Sequence, residues 1–410
     1  MHHLQIFLLP LAFIFISSTV LANEPDKISL VAPITKDTNT SLYSITLNYA
    51  ETYVIDLDAP LLWRYCQFPL SPIPCSSPQC SAGKSYKCPL PKTKPKSDKC
   101  NCVVTPMNPI TKKCALANLA TGYLIISMTN GKNPTDTINF SNFPVSCAPQ
   151  TLLQSLPQND VGVAGLSHAP LALPSQLSAS NRKLAKKFAF CLPSSEEKKG
   201  VIFFGDVPVH FLPPAKINLV STLSYTPLLQ HPRSSEHYIG LKGISINGKT
   251  SNFRRNAFQL DTSGNGGVKI STTVPYTVLR SDVYQVFVKR FSEAIGGVPR
   301  AMKTGPFEVC VNARRIGLSV IPFPRIDLEL GNGKNWTIHK PNSIIDMGDS
   351  VGCLAFVDGG KRAKEAVVIG SYQMENQLMM FDLAASRLGF SSSLLFYKTT
   401  CGGFNFTRGA

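Results

Sequence analysis

Short runs of alternating apolar and polar residues dominate the chain, and helical periodicity is scarce. Ile239, Leu241, Ile244 and Ile246 lie in alternating runs that meet a turn at Asn247-Gly248, a residue pair suited to a tight hairpin. Ile326, Leu328 and Leu330 alternate with polar neighbours before Gly331-Asn332-Gly333 turns the chain towards Trp336 and Ile338. The continuous apolar runs Phe188-Ala189-Phe190-Cys191-Leu192 and Val201-Ile202-Phe203-Phe204 read as buried strands around a polar loop. One helix is clear: it starts with Ser281 as N-cap and stops near Gly296-Gly297, with Val283, Phe287, Phe291 and Ile295 recurring along one face. A shorter helix is predicted over 174–188. The pattern predicts a mostly-β chain with a few helices. Its length allows two sizeable lobes, and the best boundary is Leu212-Pro213-Pro214-Ala215, where paired prolines fix φ and disfavour helix before them.

The front of the chain changes this picture. Residues 6–21 are largely apolar and end in Val20-Leu21-Ala22, a small-residue cleavage pattern before the polar Asn23-Glu24-Pro25-Asp26-Lys27. Residues 1–22 therefore read as a secretory signal peptide, 23–212 as a first lobe and 213–410 as a second. The apolar stretch is short for a span, and no later one is long enough, so no membrane anchor is expected. Twelve cysteines behind a signal peptide imply disulfides. Cys66, Cys75, Cys80, Cys88, Cys100, Cys102 and Cys114 crowd into a Cys-rich insert over 66–114, while Cys147, Cys191, Cys310, Cys353 and Cys401 are scattered. Spacing alone leaves their connectivity open. Cys100-Asn101-Cys102 has no matching His or Cys pair at ligand spacing, so no metal and no cofactor are expected. Asn39, Asn139, Asn335 and Asn405 each begin an Asn-x-Ser/Thr sequon and read as glycosylated surface positions.

The formal charge of +16 survives removal of residues 1–22, which hold no Lys, Arg, Asp or Glu. Such an excess favours acidic partners: polyanionic matrix, anionic proteins or carboxylate-lined clefts. No nucleic-acid motif accompanies it. The densest basic stretch, Lys84, Lys87, Lys92, Lys94, Lys96 and Lys99, is interleaved with Pro and Cys and reads as a solvated, disulfide-tied loop.

Candidate chemistry centres on Val54-Ile55-Asp56-Leu57-Asp58-Ala59-Pro60-Leu61-Leu62-Trp63, an apolar strand, an Asp-centred turn and a second apolar stretch. It resembles the first active-site turn of pepsin-like aspartic proteases, with Leu57, Asp58 and Ala59 where that family has Thr, Gly and Ser. Such enzymes need two aspartates that share one proton and activate a water. Asp261-Thr262-Ser263-Gly264 offers a second candidate. Its surroundings assign the role elsewhere: Gly264-Asn265-Gly266-Gly267 matches the glycine-rich hairpin before the second turn in plant members, and counting back from Tyr284 places Ser271 at the second aspartate, followed by Thr272 and Thr273. A serine can neither share the proton nor carry the charge. Thr121-Gly122-Tyr123 lacks the usual flap order of Tyr followed by Gly, though a Gly-ended strand is present, and the first strand over 27–34 leaves little room for a prosegment. No catalytic residues are therefore expected, with Asp56 and Ser271 vestigial.

The resemblance extends over nearly the whole mature chain. Asp160-Val161-Gly162-Val163-Ala164-Gly165-Leu166, Tyr238-Ile239-Gly240-Leu241-Lys242 and Val368-Ile369-Gly370-Ser371-Tyr372-Gln373-Met374-Glu375-Asn376 look like the plant xylanase inhibitors, xyloglucan-endoglucanase inhibitors, extracellular dermal glycoprotein and basic 7S globulins. That resemblance implies a bilobal pepsin-like fold of two β-barrel-like lobes, and disulfides Cys66–Cys147, Cys191–Cys401 and Cys310–Cys353 with the rest paired inside the 75–114 cluster. It further implies that two second-lobe loops contact a secreted microbial glycoside hydrolase. One carries Tyr397 and Lys398 before Cys401; the other is Asn312-Ala313-Arg314-Arg315-Ile316-Gly317, with Arg315 at an inhibitory position. A glycosidase cleft presents two carboxylates flanking the scissile bond, and an inserted cation pairs with both. Arg does so bidentately, and Lys398 is a more flexible point charge. The alternatives are that these are ordinary solvated charges, that the protein is a 7S-globulin-like extracellular binding or storage protein, or that Asp56 works with Asp261 in an atypical protease.

Overall fold

The computed structural model describes residues 27–84, 88, 100–206, 208–211, 218–315 and 317–408. The leader read over 1–22, the boundary expected at 212–215, and Lys87, Lys92, Lys94, Lys96 and Lys99 lie outside the described residues. The fold is mainly β, in two pepsin-like lobes.

The lobes share a sheet. Antiparallel pairings run from Ser29–Asp37 to Gly200–Gly205, to Lys187–Cys191, across to Leu378–Asp382, then to Arg387–Phe390 and Ser224–Leu229. Three strands come from each half, and the seam is the register Lys187↔Asp382 to Cys191↔Leu378. Apolar residues at this seam are sealed from water: Phe188 stacks on Phe381 at 4.8 Å between centroids, and both are fully buried. Lys187 and Arg387 both reach the buried Asp382, whose Oδ1 also accepts from Ala385 N; this carboxylate ties a turn to the sheet.

Each half contains parallel strand pairs within largely antiparallel surroundings. Glu51–Asp56 pairs with Asp160–Gly165 in the first half, and Val268–Ile270 with Val367–Ile369 in the second. A hydrogen bond closes each pair at its end: Leu166 N donates to Asp56 O, and Ser271 N to Ile369 O. Both turns are thus held at the mouth of a parallel pair.

Local signals account for much of this. Leu241–Ile246 and Lys249–Thr250 form the expected hairpin, with Asn247 and Gly248 at φ 49° and 75°, both in the left-handed region that a tight primed turn requires. Ile326–Leu330 pairs with Asn335–Ile338 as its alternation predicts. The helix Ser281–Ala294 buries Val283, Phe287 and Phe291. Its cap differs from expectation by one residue: Arg280 is the N-cap, and Ser281 is already helical, its hydroxyl donating to Asp358. The helix expected over 174–188 spans only Leu173–Ser180. Asn181 leaves it in an extended conformation, and Phe188, which kept the apolar pattern going, belongs to the seam strand. The strand expected to end at Gly122 runs on as Ala117–Thr129 and pairs with Pro134–Ala148. Gly122 and Tyr123 therefore sit at a register shift inside a long hairpin.

All twelve cysteines are paired. Cys66–Cys147, Cys191–Cys401 and Cys310–Cys353 span the fold. Within the insert, Cys75 bonds Cys100, Cys80 bonds Cys102, and Cys88 bonds Cys114. No helix among the described residues is long and apolar enough to cross a membrane.

Candidate functional site

The turns from the two halves meet head on. Thr272 donates its hydroxyl to Ile55 O at 2.7 Å and accepts from Leu57 N at 3.3 Å. That exchange locks residues 55–57 of one half against residues 271–272 of the other and brings Ser271 into the junction beside Asp58. Ser271 lies within reach of Thr273 Oγ1 at 3.2 Å and donates to Asp58 Oδ2 at 3.4 Å. Asp261 is elsewhere. It is exposed and closes its own turn, accepting from Asn265 N at 2.8 Å, and those local hydrogen bonds hold its carboxyl below the usual range.

Asp58 fills the centre of this junction. Its Oδ2 pairs at 3.0 Å with Lys269 Nζ, which reaches across from the second half and also pairs at 3.3 Å with Glu236. All three side chains are mostly buried, at 15%, 13% and 21% exposure for Asp58, Lys269 and Glu236. The ion triad therefore bolts the halves together where a pepsin-like cleft would open. Sequence reading singled out Asp58 as a departure but did not single out Lys269. The usable signal was the coincidence of two unusual charges, Asp58 in the first turn and Lys269 in the strand that leads into the second.

Burial decides the protonation of this cluster. Asp56 is buried and only 3% exposed; loss of water lifts its carboxyl above the ordinary range, against the hydrogen bond it accepts from Asp58 N. Burial likewise pushes Asp58 up to about 7, outweighing the Lys269 ammonium. At Glu236 the balance reverses: desolvation is outweighed by Lys269 together with the Ser234 hydroxyl and Lys364, which hold the carboxyl low. Burial also opposes the charge on Lys269, but Asp58 and Glu236 outweigh it and raise its pKa. A carboxyl raised on folding binds protons more tightly in the native state. Its contribution to stability is therefore full below the unfolded value near pH 4 and is lost as pH rises towards about 7. Asp58→Asn is expected to flatten the fall of stability across that window by up to about 1.4 kcal/mol per pH unit. Urea denaturation at a series of pH values measures this, and an unchanged slope would refute it.

The two basic loops of the second half lie apart from this junction. Arg314 and Arg315 are exposed on a loop braced by Arg314 N on Asn312 Oδ1 and by Gly317 N on Ala313 O. Lys398 is exposed at φ 54°, capping a short 3-10 turn over Leu394–Tyr397. Tyr397 is half-buried against the Cys191–Cys401 cluster and does not project freely. One corner supports both loops. Lys340 Nζ donates to Leu318 O at 2.7 Å and Ser319 O at 3.0 Å, just beyond Arg315, while the adjacent His339 ring packs edge-on against Phe396 at 4.7 Å. Phe396 and Val320 stand exposed at 63% and 68% beside the basic residues. Sequence reading missed this corner because neither His339 nor Lys340 carries a motif.

Asn39, Asn139 and Asn335 are exposed, and Asn405 is half-buried. No cluster of three or more His, Cys, Asp or Glu suited to a metal ion occurs among the described residues.

Comparison with known proteins agrees with this architecture. Residues 43–206 match the family described as Xylanase inhibitor N-terminal, and residues 236–392 match Xylanase inhibitor C-terminal. The chain is 37% identical to Gamma conglutin 1 of Prunus dulcis, over 99% of this chain and 97% of that protein. It is 36% identical to the Probable aspartic proteinase GIP2 of Nicotiana benthamiana, over 97% and 96%. Among solved structures, that titled "Crystal structure of edgp" superposes with a TM-score of 0.86 at 36% identity, covering 94% of this chain and all of that one. With both halves matched and the pepsin-like shell in place, the chain belongs to the xylanase-inhibitor family of aspartic-protease-like proteins.

Proposed function

We propose that this protein is a secreted, proteolytically inactive pepsin-fold protein that inhibits a microbial cell-wall glycoside hydrolase, a xylanase or a xyloglucan-specific endoglucanase. The observation that carries this reading is the shared corner at His339-Lys340, which steadies two loops that each present an exposed cation. Arg315 and Lys398 are the residues that enter the partner's cleft, with Arg314 alongside, and Phe396 and Val320 supply apolar contact at the rim. A cation between the two carboxylates of a glycosidase blocks the sugar and replaces the water that the carboxylates lose. The net charge of +16 draws the chain to such acidic clefts. Serine in place of a second aspartate and the Asp58–Lys269–Glu236 triad across the old cleft support the absence of proteolysis. The signal-like start and the sequons support an extracellular, glycosylated protein of the cell wall.

Titration against purified xylanases and xyloglucan-specific endoglucanases tests the proposal; no inhibition in either class removes it. Arg315→Ala and Lys398→Ala are each expected to weaken the inhibition constant by the equivalent of about 2–5 kcal/mol, the cost of truncating one partner of a desolvated charge pair. Lys398→Arg is expected to tighten it through bidentate pairing.

The identity with a gamma conglutin favours one second reading, an extracellular binding or storage protein. Recovery of one recurrent partner that is not a glycosidase from wall extracts, together with failed inhibition, would select it.

A further inference from the structure

Beside the inter-lobe triad lies a cavity of about 460 Å³, walled by both halves and by the disulfide-tied insert. That is a size usual for small-molecule sites. Its polar floor is Asp56 and Asp58; Leu61, Pro106 and Met107 give it apolar sides. Two carboxylate oxygens there are unpartnered. Asp56 is 3% exposed and takes one hydrogen bond, at Oδ1 from Asp58 N, leaving Oδ2 with none among the described residues. Asp58 Oδ1 is sealed from water and has no partner either. Buried polar groups without partners are rare in native proteins, and a buried charge needs a counter-charge.

The charge count gives the chemistry of what is missing. Asp56, Asp58 and Glu236 face one buried cation, Lys269, which is already shared between Asp58 and Glu236. Among the described residues the other cations lining the cavity, Lys112 from the insert and Arg233 from the second half, are exposed at its rim, and Lys112 offsets only part of the burial that raises the Asp56 carboxyl. Among the described residues the floor is therefore two positive charges short, and a proton on the Asp56–Asp58 pair makes up one of them in the empty site. A hard metal ion would want six or more oxygens, and no suitable ligand cluster exists among the described residues. An organic ammonium needs only a few acceptors and brings an apolar body that these walls can cover.

We propose that this cavity binds a small organic monoamine, its ammonium lodged on the carboxylates of Asp56 and Asp58 and its apolar body against Leu61, Pro106 and Met107. The rim cations Lys112 and Arg233 select a single positive charge over a polyamine. In the empty site burial keeps a proton on the carboxyl pair. An arriving ammonium takes that proton's place, so one proton leaves to solvent for each amine bound, and no covalent bond changes. This site is independent of the basic loops, and its failure would leave the glycosidase reading untouched.

The test is calorimetric titration of the mature protein with benzylamine, using benzyl alcohol and benzoate as isosteric controls. Benzylamine is expected to bind at least tenfold more tightly than benzyl alcohol, and benzoate not to bind. Affinity for the amine is expected to rise about a hundredfold from pH 5 to pH 8, with most of the rise below pH 7 and proton release visible as a buffer-dependent heat. Asp56→Asn should abolish binding. Met107→Trp, made at an exposed position of the insert, should fill the cavity and abolish it while leaving the charges and the glycosidase inhibition intact. No heat with benzylamine, equal binding of the alcohol, an affinity indifferent to pH, or full binding by Met107→Trp would each overturn the proposal.

Discussion

Lys269→Met is expected to lose about 3–5 kcal/mol of folding stability, the cost of stranding buried charge by removing one partner. The side chain is 13% exposed and holds two carboxylates at 3.0 and 3.3 Å, so no water replaces what the ammonium provides. The loss should be smaller at pH 5 than at pH 8, because Asp58, already raised to about 7, takes up a proton when its partner goes. Removing all three charges together, as Lys269→Met with Asp58→Asn and Glu236→Gln, should recover most of the loss, since neutral groups carry no Coulomb debt. Guanidinium unfolding of the two variants decides the matter. A single-variant loss under about 1 kcal/mol would mean that the triad is solvated in effect and does not bolt the halves.

The second large effect is expected from opening Cys191–Cys401. This bridge closes a loop of 210 residues, the longest in the chain, and the chain-entropy argument assigns it about 5 kcal/mol. Cys191 ends the seam strand, and Cys401 follows Lys398 by three residues. Both cysteines are fully buried in a cluster with Val201, Phe203 and Met380. Changing both to serine should therefore lower the denaturation midpoint and also loosen the turn that presents Lys398. The expected pairing of results is a large loss of stability with a measurable weakening of inhibition at temperatures where the variant stays folded. A midpoint within error of the parent would show that packing alone secures the C-terminal segment.

Much of the fold was legible because local chemistry and tertiary structure agree. Asn247-Gly248 sits in the turn its backbone freedom suits, and Val283, Phe287 and Phe291 bury the face their spacing marks out. What escaped was long-range. Asp58 and Lys269 stand 211 residues apart and Lys269 and Glu236 33 apart, and no periodicity reports a side chain that crosses between halves. The over-long helix at 174–188 failed for a related reason: Phe188 is apolar to serve the seam and Leu184 to fill the core, and a single apolar pattern cannot say which neighbour it serves. His339 and Lys340 were invisible because they act by supporting loops that come from elsewhere.

The sheet that joins the halves makes them unequal to life apart. Cut the chain between residues 211 and 218, and each fragment would carry a raw, apolar edge, Lys187–Cys191 on one and Leu378–Asp382 on the other. Such edges recruit any strand within reach, including copies of themselves. A protein built this way tolerates change in its outer loops far more readily than it tolerates being divided, which leaves those loops as the ground on which new partners can be tried.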